Sequence, residues 1–167
     1  AALKCGTGRV YVGLLDSNAP LVDPLQPELM LRPADGVLRL DHLSALAVGP
    51  GLGDTPDAAE YLDWALEQAL PLVLDADALN LAASFDAIKN KLKQRVTATI
   101  LTPHPAEAAR LLGDAYRQRP DVEIGAHLGE VLWKLGRTAE ADRIWREALA
   151  RAPDNETLKS TIKRFKP

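Results

Sequence analysis

The chain has 167 residues, of which 47% are hydrophobic and 26% charged, a balance typical of folded globular proteins rather than disordered ones. Its net charge of −3 argues against a dedicated nucleic-acid binder, and the single cysteine, Cys5, excludes an intrachain disulfide and a multi-cysteine zinc site. No apolar run is long enough to predict a membrane span. Because the sequence opens on Ala1 without an initiator Met or a signal-peptide pattern, we expect a processed, trimmed or partial chain in the cytoplasm.

The averages conceal two segments, which we divide after Gly113. Residues 1–113 carry 9 basic and 14 acidic residues with 8 of the 11 glycines and 9 of the 12 prolines. Residues 114–167 carry 11 basic and 9 acidic residues with 3 glycines and 3 prolines. A segment punctuated by proline and glycine, followed by a charged and unbroken one, predicts two architectures.

Hydrophobic periodicity in the first segment predicts alternating strands and helices. Residues 19–35 contain four prolines, too many for one long regular element. Asp54 and Thr55 are candidates for capping the first helix. The predicted elements are a strand at Val10–Leu15, a strand at Ser44–Val48, a helix at Asp57–Ala69, a strand at Leu72–Leu74, a helix at Ala87–Arg95, a strand at Thr97–Leu101 and the start of a helix at Ala106–Leu112.

This order predicts an α/β fold with a parallel sheet covered by helices on both faces and wound through right-handed crossovers. A polar cluster follows each of the last three strands, at Gly49–Gly53, at Asp75–Asn80 and at Thr102–His104. The carboxyl ends of parallel strands meet at one edge, where ligands bind in open α/β sheets. We therefore expect these clusters to form one site.

The first cluster, Gly49-Pro50-Gly51-Leu52-Gly53, joins a strand to a helix. Such a turn lets the backbone approach a bulky ligand, and the helix N-terminus beyond it favours an anion. A tight connection without a ligand is an equally good interpretation of so short a motif. The spacing matches neither the Gly-x-Gly-x-x-Gly dinucleotide fingerprint nor a Walker A loop.

The second cluster offers Asp75, Asp77 and Asn80. Carboxylates at a strand end can hold Mg²⁺ through water or accept hydrogen bonds from ligand hydroxyls, and Asn80 can cap the turn. The alternative is helix capping, which we favour for Asp77 and leave open for Asp75.

In the third cluster, His104 lies between two prolines that restrict its backbone. A lone histidine is more often structural, but on this edge, three residues before Glu107, it is a candidate ligand contact. Glu107 is equally well placed as a first-turn carboxylate favoured by the helix dipole. His42 and Cys5 have no partner pattern, and we interpret both as structural.

Three motifs in this order resemble the ADP/ATP-dependent NAD(P)H-hydrate dehydratases, ribokinase-like proteins also called carbohydrate kinases. The motifs lie at Ala47–Gly53, at Val73–Asn80 and at Ile100–Glu107 with Arg110–Gly113. The resemblance covers about residues 1–113 and implies a partial ribokinase-like sheet. It also implies a function, the nucleotide-driven elimination of water from hydrated NAD(P)H.

By that resemblance, Gly49, Gly51, Gly53 and His104 contact the hydrated dinucleotide, and Asp75 and Asn80 shape the same pocket. The cofactor would be ADP or ATP, with Mg²⁺ as a further candidate. The family takes its catalytic Asp from a later Gly-Thr-Gly-Asp-type loop, and no such sequence follows Gly113. We therefore expect a fragment of the enzyme without activity, and assign no catalytic residue.

The second segment resembles one tetratricopeptide repeat over Val122–Asn155, with Gly125 departing from the pattern. Ala115–Pro120 is similar to the tail of a preceding repeat, and Glu156–Phe165 to a terminal capping helix. The resemblance implies an all-α helical hairpin that presents a groove to a protein or peptide. Apolar positions at helical spacing predict its buried face. They are Leu128, Leu132, Leu135, Ile144, Trp145 and Leu149.

Within that segment we expect Trp145 in the core, Trp133 exposed or facing a partner, and His127 solvated. One repeat cannot bury its apolar face alone, so the α/β segment, another copy of the chain or further repeats must cover it. The two resemblances meet inside one helical pattern, Ala106–Arg119, with no linker. This predicts a chimeric or truncated fusion chain. The alternative function is a non-catalytic interaction module that pairs with a protein, a peptide or another copy, and with neither nucleic acid nor membrane.

Overall fold

The computed structural model describes residues 2–166. After a short 3-10 turn at Leu3–Cys5, the chain alternates short strands with helices and ends in helices alone. The strands are β1 (Tyr11–Leu14), β2 (Met30–Pro33), β3 (Leu46–Val48), β4 (Leu72–Leu74) and β5 (Thr99–Leu101). The helices are α1 (Ala34–Leu38), α2 (Pro56–Glu67), α3 (Ala76–Ser84), α4 (Asp86–Gln94), α5 (Pro105–Gln118), α6 (Val122–Lys134), α7 (Thr138–Arg151) and α8 (Glu156–Phe165). Of the helices between residues 2 and 166, none is both long and apolar enough to cross a membrane.

The predicted parallel pairing is confirmed, but the strands form two sheets. β1 pairs with β2, and β3, β4 and β5 pair in sequential order, every pair being parallel. The proline-rich segment, predicted to hold no long element, holds β2 and the short helix α1. Pro33 ends β2, a position that proline tolerates because it needs no ladder donor.

Only one face of the three-stranded sheet is well covered, which corrects the prediction of helices on both faces. In β4, Leu72 and Leu74 are 1% and 0% exposed and belong to the first hydrophobic core, whereas Val73, on the opposite face, does not. Val73 pairs in register with the exposed Ala47 and with Ile100, which is 60% exposed. Sequential parallel strands joined by crossovers of one hand place the connecting helices on the same face, which explains the open one.

The first core packs α2, α3 and α4 against the covered face of β4. Thr55 caps α2, as predicted among two candidates, by accepting from the amide of Ala58. At its other end the Arg95 guanidinium donates to the carbonyl oxygens of Gln68 (3.0 Å) and Leu70 (2.8 Å). A cation on the last carbonyls complements the helix dipole and holds α2 to the start of β4.

The second core belongs to the helical segment, where α6 and α7 form a hairpin and α8 packs against both. Trp145 fills its centre with 2% exposure, and its Nε1 donates to the Ala126 carbonyl at 3.2 Å. Gly129 makes this possible, because a Cβ there would lie 2.1 Å from Trp145 Nε1. Trp133 stacks on Trp145 with ring centroids 5.6 Å apart and is half-buried rather than exposed.

Other expectations for this segment are met in part. His127 is exposed, as predicted, and α8 has the predicted bounds. Leu135 was expected in the core but is 37% exposed, because α6 ends at Lys134 and the chain turns at Gly136 with φ +77°.

Helix α5 runs continuously from the α/β segment into the helical one, and its side chains enter both cores. Leu111 packs against the first core, while Ala109, Leu112 and Tyr116 belong to or pack against the second. The apolar face of the hairpin is therefore covered by α5 on one side and α8 on the other. The predicted boundary after Gly113 falls inside this helix and stays a prediction.

We predict opposite effects for alanine at two helical glycines. Gly129→Ala should destabilise the chain by about 3 kcal/mol, because the new methyl displaces the buried Trp145 ring. Gly113→Ala should stabilise it by about 0.5–1 kcal/mol, because the nearest atom is the flexible end of Arg117 at 3.6 Å and alanine favours a helix. Urea denaturation of both variants measures the difference, and equal effects would contradict the packing described.

We also predict a pH-dependent contribution from Glu130, which joins α6 to α8. It accepts from Lys134 Nζ at 2.8 Å and from Arg164 Nη2 at 2.7 Å, and the Lys134 hydrogen bond, aided by the Arg164 charge, lowers the pKa of its carboxyl. A lowered folded-state pKa gives stability that is present above the unfolded pKa of about 4.3 and is lost as the pH falls through the folded value.

Glu130→Gln should therefore cost about 1 kcal/mol at pH 7 and progressively less below pH 4. Glu28→Gln, at an exposed loop position, is the control and should change little. Thermal melts between pH 3 and 7 measure both. A Glu130→Gln deficit that persists at pH 3 would contradict this role.

Candidate functional site

The three predicted clusters do meet at one edge of the sheet. Val48, Leu74 and Leu101, the last residues of β3, β4 and β5, are in register with one another. Past these ends, the amide of Asp75 donates to Val48 O at 3.1 Å and the amide of Thr102 donates to Leu74 O at 3.0 Å. The polar residues that follow each strand therefore begin side by side.

The first two clusters approach so closely that position 49 must be a glycine. It adopts φ +138°, and a Cβ at this position would lie 1.8 Å from the carbonyl oxygen of Asp75. No side chain can occupy that space. Gly51 and Gly53 have φ of +70° and +79° but face open space. Of the three glycines, Gly49 thus fixes the fold of the edge, and Gly51 leaves the outer side of the turn clear.

The turn is held from the second cluster by Asp77, whose Oδ2 accepts from the amide of Gly53 at 2.8 Å. This corrects the interpretation of Asp77 as a helix cap. Asp75 is the N-cap of α3, its Oδ1 accepting from the amide of Ala76 at 2.9 Å. Ala76 adopts a left-handed φ of +44°, which is uncommon for a residue with a Cβ. Asp75 alone separates the end of β4 at Leu74 from the start of α3 at Ala76.

Asn80 was a predicted cap for the turn, and this prediction is wrong: the helix has already begun at Ala76, so Asn80 lies inside α3. Its side-chain oxygen accepts instead from Arg110 Nη2 of α5 at 2.6 Å. This pair joins the helices that follow β4 and β5. Arg110 is exposed, and Asn80 is half-buried.

His104 is the N-cap of α5. Its Nδ1 accepts from the amides of Ala106 (3.2 Å) and Glu107 (3.4 Å), and Glu107 completes a capping box by accepting from the His104 amide at 3.1 Å. An accepting Nδ1 assigns the proton to Nε2, which lies 3.0 Å from Glu107 Oε1. Nδ1 thus has its partners within the cap, whereas Nε2 is close to the Glu107 carboxylate without a hydrogen bond to it. The His104 side chain is 62% exposed and that of Glu107 only 8%.

The edge is acidic. The three clusters and the first turns of the helices after them carry five carboxylates, against one permanent cation, Arg110, in the second turn of α5. The carboxylates are those of Asp54, Asp57, Asp75, Asp77 and Glu107. Within residues 2–166 no group of three or more His, Cys, Asp or Glu side chains is placed to hold a metal ion. Three of the carboxylates, those of Asp75, Asp77 and Glu107, already accept from backbone amides. The donor set does not fit the Mg²⁺ that the resemblance offered.

The structural interpretation of His42 and Cys5, which lie outside the edge, stays a prediction. His42 Nε2 lies 3.0 Å from the Tyr11 hydroxyl, and Cys5 is an exposed free thiol. A groove of about 350 Å³ between α2 and α4, lined by Trp64, Phe85 and Ile88 among others, lies away from the edge.

Two residues of the edge have roles that the sequence pattern did not indicate. Asp77 was interpreted as a cap, although its place three residues beyond the end of β4 allows it to reach the glycine turn. Arg110 belongs to the third motif, but no role was predicted for it. Its charge could have indicated one, because it is the one arginine or lysine in the three motifs.

We predict that Gly49→Ala destabilises the chain by more than about 3 kcal/mol, because its methyl would overlap the Asp75 carbonyl. Gly51→Ala should cost only about 1 kcal/mol, the cost of a left-handed alanine in open space. Chemical denaturation compares the two variants. Equal losses would contradict the close approach of Gly49 to Asp75.

The sequence of the chain is similar to that of a known enzyme family. The family described as NAD(P)H-hydrate dehydratase, of the carbohydrate kinase type, matches residues 1–134. The chain is 41% identical over 121 residues to an ADP-dependent (S)-NAD(P)H-hydrate dehydratase from Neisseria meningitidis, covering 71% of this chain and 40% of the relative. It is 35% identical over 141 residues to an ATP-dependent (S)-NAD(P)H-hydrate dehydratase from Ixodes scapularis, covering 78% and 45%.

A bifunctional NAD(P)H-hydrate repair enzyme from Gloeobacter violaceus is 35% identical over 175 residues, covering 92% of this chain and 34% of the relative. The chain thus spans less than half the length of these curated relatives. No solved structure matches.

The match also bears on the second segment. It continues past Gly113 to residue 134, through the whole of α6, and so crosses the junction on which the prediction of a chimeric chain rests. The tetratricopeptide resemblance is not supported, because this match includes the helix that was compared with the first helix of a repeat. The mixed α/β architecture with short parallel sheets is consistent with part of a ribokinase-like fold. The chain belongs to the NAD(P)H-hydrate dehydratase family.

Proposed function

We propose that the edge formed by the ends of β3, β4 and β5 binds a dinucleotide of the NAD(P)H-hydrate type. The observation that carries the proposal is the register of the three strand ends, which brings the glycine turn, the Asp75–Asn80 cluster and His104 together. In open parallel sheets this edge is where ligands bind. Relatives named for action on NAD(P)H-hydrate support the choice of ligand.

In this proposal the residues have separate tasks. Gly49 lets the first two strand ends approach, and Gly51 leaves room for the ligand. Asp75 and Asn80 shape the pocket by setting the start of α3 and the position of Arg110. His104 contacts the ligand through the exposed part of its ring rather than through Nδ1, since that nitrogen accepts from two amides of α5.

The relatives' names also specify ADP or ATP. The glycine turn offers a nucleotide phosphate few amide donors, because Pro50 has no amide hydrogen, the Leu52 amide donates to Gly49 O and the Gly53 amide donates to Asp77. No Gly-Thr-Gly-Asp-type sequence follows in the 167 residues. We therefore assign the nucleotide no place on this edge, and we propose that these 167 residues by themselves bind the dinucleotide without turning it over.

The proposal predicts that NADPH binds weakly, because the edge is an open surface. A titration to about 1 mM, followed by NADPH fluorescence and by calorimetry, should show saturation. His104→Ala should weaken the affinity about tenfold. His127→Ala, which removes an exposed histidine from α6, is the control and should leave the affinity unchanged. No binding to the unmodified chain at 1 mM would contradict the proposal.

A second candidate, a non-catalytic module that pairs copies of the chain through its helical segment, draws on Trp133. This half-buried aromatic stacks on Trp145 and has Lys166 Nζ 5.9 Å from its ring centre. Sedimentation of the full chain tests it. A dimer that dissociates on Trp133→Ala and persists in His104→Ala would favour this candidate, and a monomer at all concentrations would exclude it.

A further inference from the structure

We propose that Arg110 is the residue that receives the phosphate groups of the bound dinucleotide and that Asn80 positions it for this task. The inference rests on the proposed function, since it names how that site would recognise an anionic ligand. It assigns a role that the glycine turn was expected to fill.

The charge of the edge favours this assignment. An NAD(P)H-type ligand carries phosphates, and the edge that would take it has five carboxylates and one permanent cation. The Asp77 carboxylate lies directly on the glycine turn, 2.8 Å from the Gly53 amide. A phosphate approaching that turn would meet a carboxylate rather than a positive helix end. The favourable approach is the one toward Arg110.

Several backbone donors at the edge already have partners. The amides of Leu52 and Gly53 donate to Gly49 O and Asp77 Oδ2, and the first amides of α5 donate to His104 Nδ1. A guanidinium has five N–H donors in a planar fork that suits phosphate oxygens. In Arg110 one of them holds Asn80, and the side chain is exposed.

The Arg110 side chain extends toward the edge. Arg110 lies five residues after Pro105, about 7.5 Å along α5 from the helix start at the edge. Helical side chains lean toward the N-terminus of their helix, so the arginine extends back toward the strand ends. The 2.6 Å hydrogen bond to Asn80 Oδ1 fixes its guanidinium between α3 and α5. Asn80 thus acts through Arg110 and is a positioning residue.

The test compares two ligands in the full chain. NADPH carries phosphates, and reduced nicotinamide riboside has the same fluorescent ring without them. Arg110→Met should weaken NADPH binding about tenfold to a hundredfold, the loss expected for a charged hydrogen bond, and should leave riboside binding unchanged. Arg117→Met removes an exposed arginine seven residues further along the same helix and is the matched control, with no expected effect on either ligand.

Asn80→Ala should weaken NADPH binding by a smaller factor and again leave the riboside unchanged. Raising the salt concentration should weaken NADPH binding to the unmodified chain and have less effect on Arg110→Met, because the lost contact is the ionic one.

The outcomes separate the two proposals. If the unmodified chain binds NADPH and Arg110→Met binds it equally well, the inference is wrong while the proposed function stands. Equal losses for NADPH and the riboside would mean that Arg110 shapes the pocket without contacting phosphate, which also overturns the inference. If the unmodified chain binds neither ligand, both proposals fail.

Discussion

The structure depends on one helix that serves two cores. α5 begins at Pro105, directly after its N-cap His104 on the edge of the sheet, and its last turn places Tyr116 in the helical core. Between them, Leu111 packs toward the first core and Leu112 toward the second. A helix buried on two sides cannot shift without disturbing both packings. Arg110, which lies in the middle of it, is therefore held in place from both directions.

This arrangement explains how a chain that spans less than half of its relatives' length can still present an ordered edge. Only one face of its three-stranded sheet is well covered, and parallel sheets ordinarily need cover on both. The helical segment adds a second core around Trp145. α5 packs against this core and follows β5 in the chain, so it joins the core to the end of that strand. At the opposite end of the sheet, Arg95 ties α2 to β4.

Much of the edge was predictable from the sequence because it depends on local signals. Short apolar runs bounded by glycine and proline located β3, β4 and β5, and the parallel order followed from the helices between them. What failed depends on contacts across the fold. α3 was not predicted, because only Asp75 separates it from β4 and the cluster Asp75–Asn80 was interpreted as a polar loop. The partners of Asp77 and Arg110 lie 24 and 30 residues away, beyond the reach of any local pattern.

We propose above all that the three strand ends form a single dinucleotide site. The most direct test is an NMR titration of the isotope-labelled chain with NADPH, following the backbone amides. We predict that the amides of Gly51, Asp77 and Thr102 shift together with one affinity, because they border the same ligand, while the amides of α7 and α8 stay in place. Shifts confined to the helical segment, or different affinities for the three strand ends, would contradict the claim.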